Sequence, residues 1–542
     1  MYRYMMKKRG LFCLTVVLLA VSGVTGTLFS IVMSRLVDCA GKSVEELLGT
    51  LLVSVGYVVV YILLNIAFNC SKAAVLTNAR YYLKKDVFAG IMNQEAGKFD
   101  IKNSAEYINE LGNNINMLES LYFNNILGAL QCLVSFTAAA AICIAVQPLM
   151  LVLMMVLAFI TMWITKMTAE PLKRSTENFA DSTGKYVAEI QDDFGGFHLI
   201  RTSGILPYII QKHDGVNREA ETAKRRNSNC RILCSCTGQF VGVLSTVLVM
   251  ALAAGFALRG MISVGMVIAF GHLIGQIVSP ITQIPSVIAN FNASKPLMER
   301  FRALMSIEAE EGTESIPSLL DGIEMEDLSF RYQNEREILH RLSYRFPANG
   351  RYAITGSSGS GKSTLLALLQ GYDSNYEGNI CFDGIELRKL TRQCLGELMG
   401  VVSQDTFLFN DTLINNITLY REGYTPEQIE DAVERAGLRA LVETLPDGMQ
   451  TVVSENGKNF SGGEKQRISL ARVLLRKNRI LLLDEFTAHL DQQTACEIEK
   501  RVLGCGDCTL IAVTHRLSPE TFKQYDQVLV LSHGELSRLE NP

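Results

Sequence analysis

Long apolar runs crowd the first half of the chain and stop at about Ser294. A helix needs about 20 apolar residues to cross a hydrocarbon core, and each run is close to that length. The runs are Leu11–Val37, Leu47–Ala67, Leu121–Val146, Leu149–Lys166, Ile232–Leu258 and Met261–Ile284. This pattern predicts six membrane-spanning helices.

Positive charge predicts how these helices are oriented. Arg3, Lys7, Lys8 and Arg9 precede the first run, and Arg and Lys also crowd the two long polar connections, after the second and fourth runs. The opposite connections are very short. By the positive-inside rule, the N-terminus and both long connections are cytosolic. The first run is longer than a secretory signal, so we expect it to remain as a membrane helix.

The two long connections have polar helical patterns, so the membrane helices are expected to extend into the cytosol as an antiparallel bundle. Phe99–Tyr107 and Phe194–Arg201 carry Gly, Asn or Ser breaks and aromatic side chains, which suggests turning points. Each is either a docking surface for a partner or an ordinary solvated loop. We expect docking because of the domain that follows.

Polar groups at hydrocarbon depth usually face a cavity or another helix. Four of them stand in the fifth and sixth runs: Gln239, His272, Gln276 and Gln283. His272 is either a hydrogen-bonded packing residue or a proton relay or ligand, and packing is expected. Pro280 and Pro285 are expected to kink the sixth helix, which is the first candidate to line a substrate path.

From about Ile323 the pattern changes to short β-rich segments and amphipathic helices. The predicted fold is therefore a multi-domain membrane protein, with an all-α six-helix transmembrane domain followed by an α/β domain. The expected division is 1–300 for the transmembrane domain, 301–320 for a linker and 321–542 for the α/β domain.

Composition changes this picture little. The 542 residues carry a net charge of -4 with a pI near 6.1, so no basic surface suggests nucleic acid as a partner. The partner indicated by the apolar runs is the lipid bilayer. The thirteen cysteines are expected to be reduced packing thiols.

The strand-like Arg351–Thr355 leads into a phosphate-binding loop with the G-x-x-x-x-G-K-[ST] pattern, and a Leu-rich helical segment follows. In this pattern backbone N–H groups surround the phosphates, the lysine reaches the β and γ oxygens, and the hydroxyl after it binds Mg²⁺. The predicted ATP-binding residues of the loop are Gly356, Ser357, Ser358, Gly359, Ser360, Gly361, Lys362, Ser363 and Thr364.

An acidic segment follows downstream of the phosphate-binding loop. Ile480–Asp484 is an apolar strand that ends in two carboxylates, Asp484 and Glu485. Asp484 is expected to hold Mg²⁺ through water, and Glu485 is expected to take a proton from the attacking water.

The segment Phe460–Arg467 (FSGGEKQR) resembles the signature motif of the ATP-binding cassette (ABC) family, whose usual form is L-S-G-G-Q. In that family the serine and second glycine complete the γ-phosphate site of the opposite subunit. The resemblance therefore implies a partner cassette. It assigns to that shared site Ser461, Gly462, Gly463 and Glu464.

Further family elements follow in order across the second half. Tyr332 is similar to the aromatic residue that stacks on adenine, and Gln404 to the Q-loop residue that senses Mg²⁺ and contacts the membrane domain. Asp491 resembles the D-loop aspartate and His515 the switch histidine. Glu455–Gly457 resembles the exporter-type X-loop. The resemblance thus implies catalytic roles for Glu485, His515 and Gln404, and a Mg²⁺ site at Ser363, Gln404 and Asp484.

The chain departs from the family pattern at four positions: Phe460, Glu464, Phe486 and His489. None of these changes removes a catalytic group, so an active ATPase is expected. The resemblance implies a half-transporter that uses ATP and Mg²⁺ and works as a homodimer or a heterodimer with a second ABC half-transporter. A soluble cassette ATPase would lack the six apolar runs, and a regulated channel would not need a catalytic base.

Export is the expected direction, and the alternative is an importer of the siderophore or metal-chelate type on the same fold. The cargo is an unknown small molecule, lipid or peptide. Short outer connections favour the bacterial cytoplasmic membrane as the location.

Overall fold

The structure is a computed structural model. It describes residues 1–39, 43–100, 104–307, 312–332, 337–488, 492–504, 506–514 and 519–539. The chain forms two compact units. The first comprises Met1–Met92 and Ala105–Ser306, and the second comprises Asn93–Ser104 and Ile307–Pro542.

Helices form the first unit. In chain order they are α1 (Tyr2–Met5), α2 (Arg9–Asp38), α3 (Val44–Met92), α5 (Ser104–Asn109), α6 (Ile115–Leu118), α7 (Asn124–Val146), α8 (Pro148–Gly195), α9 (Phe197–Ser203), α10 (Leu206–Leu258) and α11 (Val264–Met305). Two π-helical turns, Glu110–Asn114 and Glu119–Phe123, join α5, α6 and α7 into one rod.

The apolar runs fall on these helices. Among the residues that the structure describes, five helical rods are long and apolar enough to cross a membrane: Arg9–Asp38, Val44–Met92, Ser104–Val146, Leu206–Leu258 and Val264–Met305. The fourth run is the apolar start, Pro148–Ile164, of the much longer α8. The prediction of a helical transmembrane region is confirmed. The polar continuations of α3, α8 and α10 also agree with the expected long helices.

The polar residues of the fifth and sixth runs lie in continuous helix. The ring of His272 packs edge to face on Phe29, with centroids 5.9 Å apart. Gln283 donates from Nε2 to Ser279 Oγ at 2.6 Å. Pro280 and Pro285 stand inside α11, which continues through both as helix to Met305. His272 therefore has the aromatic packing contact expected of a packing histidine.

The carboxylate of Asp38, at the end of α2, ties this helix to the beginning of α11. Its Oδ1 accepts from the backbone N–H of Gly265 at 2.7 Å, and its Oδ2 accepts from Ser263 Oγ at 2.7 Å. The two backbones come very close, because a Cβ added at Gly265 would lie 2.0 Å from the carbonyl oxygen of Ser34. Small residues permit such approach in membranes.

Gly265→Ala is therefore expected to destabilise the protein by about 1–3 kcal/mol, because the added methyl group forces α2 and α11 apart. Thermal unfolding in detergent measures the effect. Gly255→Ala on α10 is the matched control, since no atom lies within 4 Å of its added Cβ. The control should be neutral or slightly stabilising through helix propensity. Equal midpoints for both variants would contradict the close contact.

The second unit contains two sheets. Its strands are β1 (Gly322–Phe330), β2 (Leu339–Pro347), β3 (Arg351–Thr355), β4 (Glu377–Phe382), β5 (Ile385–Glu386), β6 (Met399–Val402), β7 (Ile480–Asp484), β8 (Thr509–Val513), β9 (Gln527–Ser532) and β10 (Glu535–Arg538). The antiparallel sheet has the order β2-β1-β4-β5. The other has the order β10-β9-β3-β8-β7-β6 and is parallel except for β10.

Helices cover this core. They are α4 (Ala96–Asp100), α12 (Lys362–Leu369), α13 (Arg392–Leu398), α14 (Leu413–Thr418), α15 (Pro426–Arg435), α16 (Arg439–Thr444), α17 (Gly462–Arg476), α18 (Gln492–Leu503) and α19 (Pro519–Phe522). The apolar residues of β7 and β8 are buried, as expected for parallel strands covered on both faces. The carboxyl ends of the parallel strands therefore meet at one edge. The predicted α/β domain is confirmed.

One short segment from between α3 and α5 packs within the second unit. The backbone N–H of Gly97 donates to the carbonyl oxygen of Tyr372 at 3.0 Å, and Ser374 Oγ donates to Glu95 Oε1 at 2.6 Å. This segment lies just before the predicted turning point Phe99–Tyr107, of which residues 101–103 lie outside the described ranges.

The twelve cysteines in the described ranges are free thiols. Cys508 is buried and follows Cys505, which is not described, at C-x-x-C spacing.

Candidate functional site

The phosphate-binding loop joins the end of β3 to the beginning of α12 and depends on glycine. Gly356, Gly359 and Gly361 have positive φ values of 156°, 78° and 100°. A Cβ at Gly356 would lie 2.2 Å from the carbonyl oxygen of Leu531, so no larger residue fits there. The resulting tight turn presents backbone N–H groups at the start of a helix, which is an anion-binding arrangement.

Lys362 is folded back onto this loop. It is only 6% exposed, and its Nζ donates to the carbonyl oxygens of Gly356 and Ser357 at 3.0 and 2.9 Å. Burial lowers the pKa of this ammonium group, and the carboxylates of Glu485 and Asp484 oppose that shift. The predicted site residues Lys362, Asp484 and Glu485 are therefore close enough for their charges to interact.

Two serines of the loop differ in exposure. Within the described ranges, the buried Ser360 Oγ has no hydrogen-bond partner, and the neighbouring Ser363 is exposed. The exposed Ser363 hydroxyl is accessible to a ligand at the start of α12. The loop therefore suits the polyphosphate of a nucleotide.

Glu485 and Gln404 meet at the same edge of the parallel sheet. Gln404 Nε2 donates to Glu485 Oε2 at 3.0 Å, although 81 residues separate them. Glu485 has a φ of 47°, in the left-handed region that non-glycine residues avoid. Its backbone N–H is fixed by the carbonyl oxygen of Val513 at 3.0 Å. Strained backbone at a site residue of this kind is typical of function.

The signature segment forms the beginning of α17. Ser461 is the N-cap, its Oγ accepts from the backbone N–H of Glu464 at 3.3 Å, and Glu464 Oε2 accepts from the backbone N–H of Ser461 at 2.7 Å. This reciprocal pair is a capping box. Gly462 is exposed at the helix start and Gly463 is buried.

Two departures from the family pattern are packing residues. Phe460 and Phe486 are both buried, at 6% and 4% exposure, and belong to one apolar cluster.

Tyr332 is 45% exposed and packs edge to face on Phe330, so its ring is available for stacking. Asp491, His515 and His489 lie outside the described residues.

Sequence reasoning missed Gln466 as part of this neighbourhood. It is 2% exposed on α17, and its Nε2 donates to the carbonyl oxygen of Glu485 at 3.3 Å. The bond connects the signature helix to the strained end of β7. A polar residue on the apolar face of a predicted helix was the signal available in the sequence.

Comparison with known proteins agrees with both units. Residues 339–488 match the family model described as ABC transporter, and residues 12–281 match the one described as ABC transporter transmembrane region. "Uncharacterized ABC transporter ATP-binding protein YfiC" of Bacillus subtilis is 26% identical over 99% of this chain and 89% of its own length.

Two further similarities concern a flippase and an exporter. An "ATP-dependent lipid A-core flippase" of Photobacterium profundum is 27% identical over 84% of this chain and 78% of its own length. The solved structure "Structure of a bacterial Atm1-family ABC exporter with ATP bound" has a TM-score of 0.81, is 24% identical, and covers 96% of this chain and 93% of that chain. The likeness favours export over the importer alternative.

One chain thus carries a helical membrane region and an ATP-binding α/β domain, each with a matching family model. It belongs to the ABC transporter family, as a membrane-embedded half-transporter with the exporter fold and its own ATPase domain.

Proposed function

We propose that two ABC half-transporters, either two copies of this chain or this chain and a second half, share two ATP sites between them. Each site combines the phosphate-binding loop of one chain with the Ser461 end of α17 from the other. The observation that carries the catalytic half of each site is the bond between Gln404 Nε2 and Glu485 Oε2, since the carboxylate of Glu485 also interacts electrostatically with the buried ammonium group of Lys362. This supports one site made of the phosphate-binding loop, the proposed base Glu485 and the proposed Mg²⁺-sensing residue Gln404.

In this proposal Glu485 accepts the proton of the attacking water, and Gln404 holds the carboxylate in position. His515 contacts the γ-phosphate, Asp491 lies at the subunit interface, and Tyr332 stacks on adenine. Lys362 exchanges its two carbonyl partners for phosphate oxygens when ATP binds. These roles follow from the resemblance, and the contacts of Glu485 and Lys362 support them.

Mg²⁺ fits the same residues. Ser363 offers an exposed hydroxyl, Asp484 a carboxylate and Gln404 an amide oxygen, which are the oxygen ligands that Mg²⁺ prefers. Three such groups leave room for phosphate oxygens and water, as is usual for nucleotide-bound Mg²⁺. Bound there, the ion would neutralise phosphate charge.

Closure of the two ATPase domains is proposed to reach the membrane helices through the cytosolic tips. The second tip ends α8 at Gly195 and exposes Phe194 and Phe197, at 75% and 55%. Exposed aromatic groups of this kind suit a docking surface. The proposed domain limits are 1–300, 301–320 and 321–542, with the N-terminus and ATPase domain in the cytosol of a bacterial cell and the helices in its cytoplasmic membrane.

A complementation experiment tests the shared sites. Lys362→Ala damages the phosphate loop and Ser461→Arg damages the signature, so dimers of either variant alone should not hydrolyse ATP. A mixed dimer, purified through two different tags and reconstituted in lipid, has one intact composite site. It is expected to regain measurable hydrolysis.

Two tagged copies of Lys362→Ala serve as the control and should remain inactive. An inactive mixed dimer beside an active wild-type dimer would show that each chain completes its own site. If the folded wild-type chain alone hydrolyses no ATP, its partner is a second, different half-transporter.

A further inference from the structure

Glu464 stands where the family pattern has glutamine, and its carboxylate engages the serine of the signature. Ser461 Oγ lies 2.8 Å from Glu464 Oε2. An ionised carboxylate can only accept hydrogen bonds, so the hydroxyl group must be the donor. The same carboxylate oxygen accepts from the backbone N–H of Ser461 at 2.7 Å. The proton that Ser461 would offer to a phosphate is therefore already directed at Glu464.

The carboxylate also occupies the end of the helix where an anion would bind. α17 is 15 residues long, and its N-terminus carries partial positive charge that favours anions. The negative charge of Glu464, in the first turn, already interacts with this partial positive charge. A γ-phosphate approaching Ser461 would meet a like charge as well as an engaged hydroxyl group.

The neighbouring cations have other contacts. Lys465 Nζ donates to the carbonyl oxygen of Asn456 at 2.7 Å, and Lys458 Nζ forms an ion pair with Glu455 at 2.6 Å. Both ammonium groups are thus held on the segment that precedes α17. The charge of Glu464 faces the helix end beside Ser461.

We propose that Glu464 is a positioning residue that lowers the affinity of the signature for ATP. It thereby sets the ATP concentration at which the ATPase domains of two chains close on each other. This inference rests on the composite site proposed above. Glu464 keeps Ser461 oriented through the capping box, while its charge and its bond to the hydroxyl group oppose the γ-phosphate. Mg²⁺ on the nucleotide reduces that repulsion, so the site favours the magnesium form of ATP.

Glu464→Gln separates the two effects. An amide oxygen can accept the same hydrogen bonds, and glutamine is the other residue found in capping boxes, so α17 keeps its start. Only the charge is lost. The matched control is Glu427→Gln, which removes one carboxylate from the first turn of α15, a helix that also begins with a capping box.

The test measures ATP-driven closure of the full chain in lipid, in the Glu485→Gln background where hydrolysis does not intervene. Glu464→Gln is expected to lower the ATP concentration for half-maximal closure about fivefold, the size of a first-turn charge effect. The shift should be larger in EDTA than with Mg²⁺, because metal-free ATP carries more negative charge. A purely structural role would not depend on Mg²⁺.

An unchanged or higher half-maximal concentration for Glu464→Gln, or the same shift in the Glu427→Gln control, would overturn the inference. Complementation between the Lys362→Ala and Ser461→Arg chains decides separately whether the composite site exists. Failure of complementation removes the shared site itself. Successful complementation with no effect at Glu464 removes only the role of its charge.

Discussion

Replacing Glu485 with glutamine is expected to lower ATP hydrolysis at least about 100-fold while leaving ATP binding intact. The amide cannot accept the proton of the attacking water, whereas its size and shape match those of the carboxylate. The end of β7 and the contact with Gln404 can therefore be kept. Nucleotide should accumulate in a closed state, which is measured by phosphate release and by retained ATP in reconstituted protein.

Glu497→Gln is the matched control, because Glu497 is an exposed carboxylate on α18 of the same unit. It should hydrolyse ATP at the wild-type rate. Wild-type turnover by the Glu485 variant would assign the base to another residue. Loss of both binding and turnover would instead mean that the strained backbone at position 485 had failed to form.

Lys362→Met is expected to weaken ATP binding about 100-fold, since it removes a charge-assisted contact to the phosphates. Methionine nearly preserves the volume of the buried stem. It cannot satisfy the carbonyl oxygens of Gly356 and Ser357, which lose the ammonium donor. Equilibrium ATP binding to the purified chain measures the effect.

Lys523→Met provides the comparison, because Lys523 is exposed in the same unit. It should bind ATP like the wild-type chain. Unchanged affinity in the Lys362 variant would contradict the role given to the phosphate loop. The two variants also differ in kind, because the Glu485 variant should bind ATP normally and hydrolyse it slowly, while the Lys362 variant should already be impaired in binding ATP.

Much of the fold follows from local patterns. Apolar runs of about 20 residues indicate membrane helices because the bilayer core has a fixed thickness. Such patterns indicate which segments are apolar, but they do not indicate the residue at which a helix ends. α8 continues from its apolar start at Pro148 to Gly195, and prolines inside α11 do not end it. The π-helical turns between α5 and α7 also have no sequence signal that we could use.

The chemistry of the ATP site could be predicted from local segments, because the phosphate loop and the acidic end of β7 are each contiguous in the chain and their geometry is set by the backbone. Which distant groups meet depends instead on the packing of the whole domain. Gln404 reaches Glu485 only because β6 and β7 are neighbours in the sheet, and Gln466 reaches the backbone of Glu485 only because α17 packs on that sheet. Contacts across such distances depend on strand order and helix packing, which no local pattern encodes.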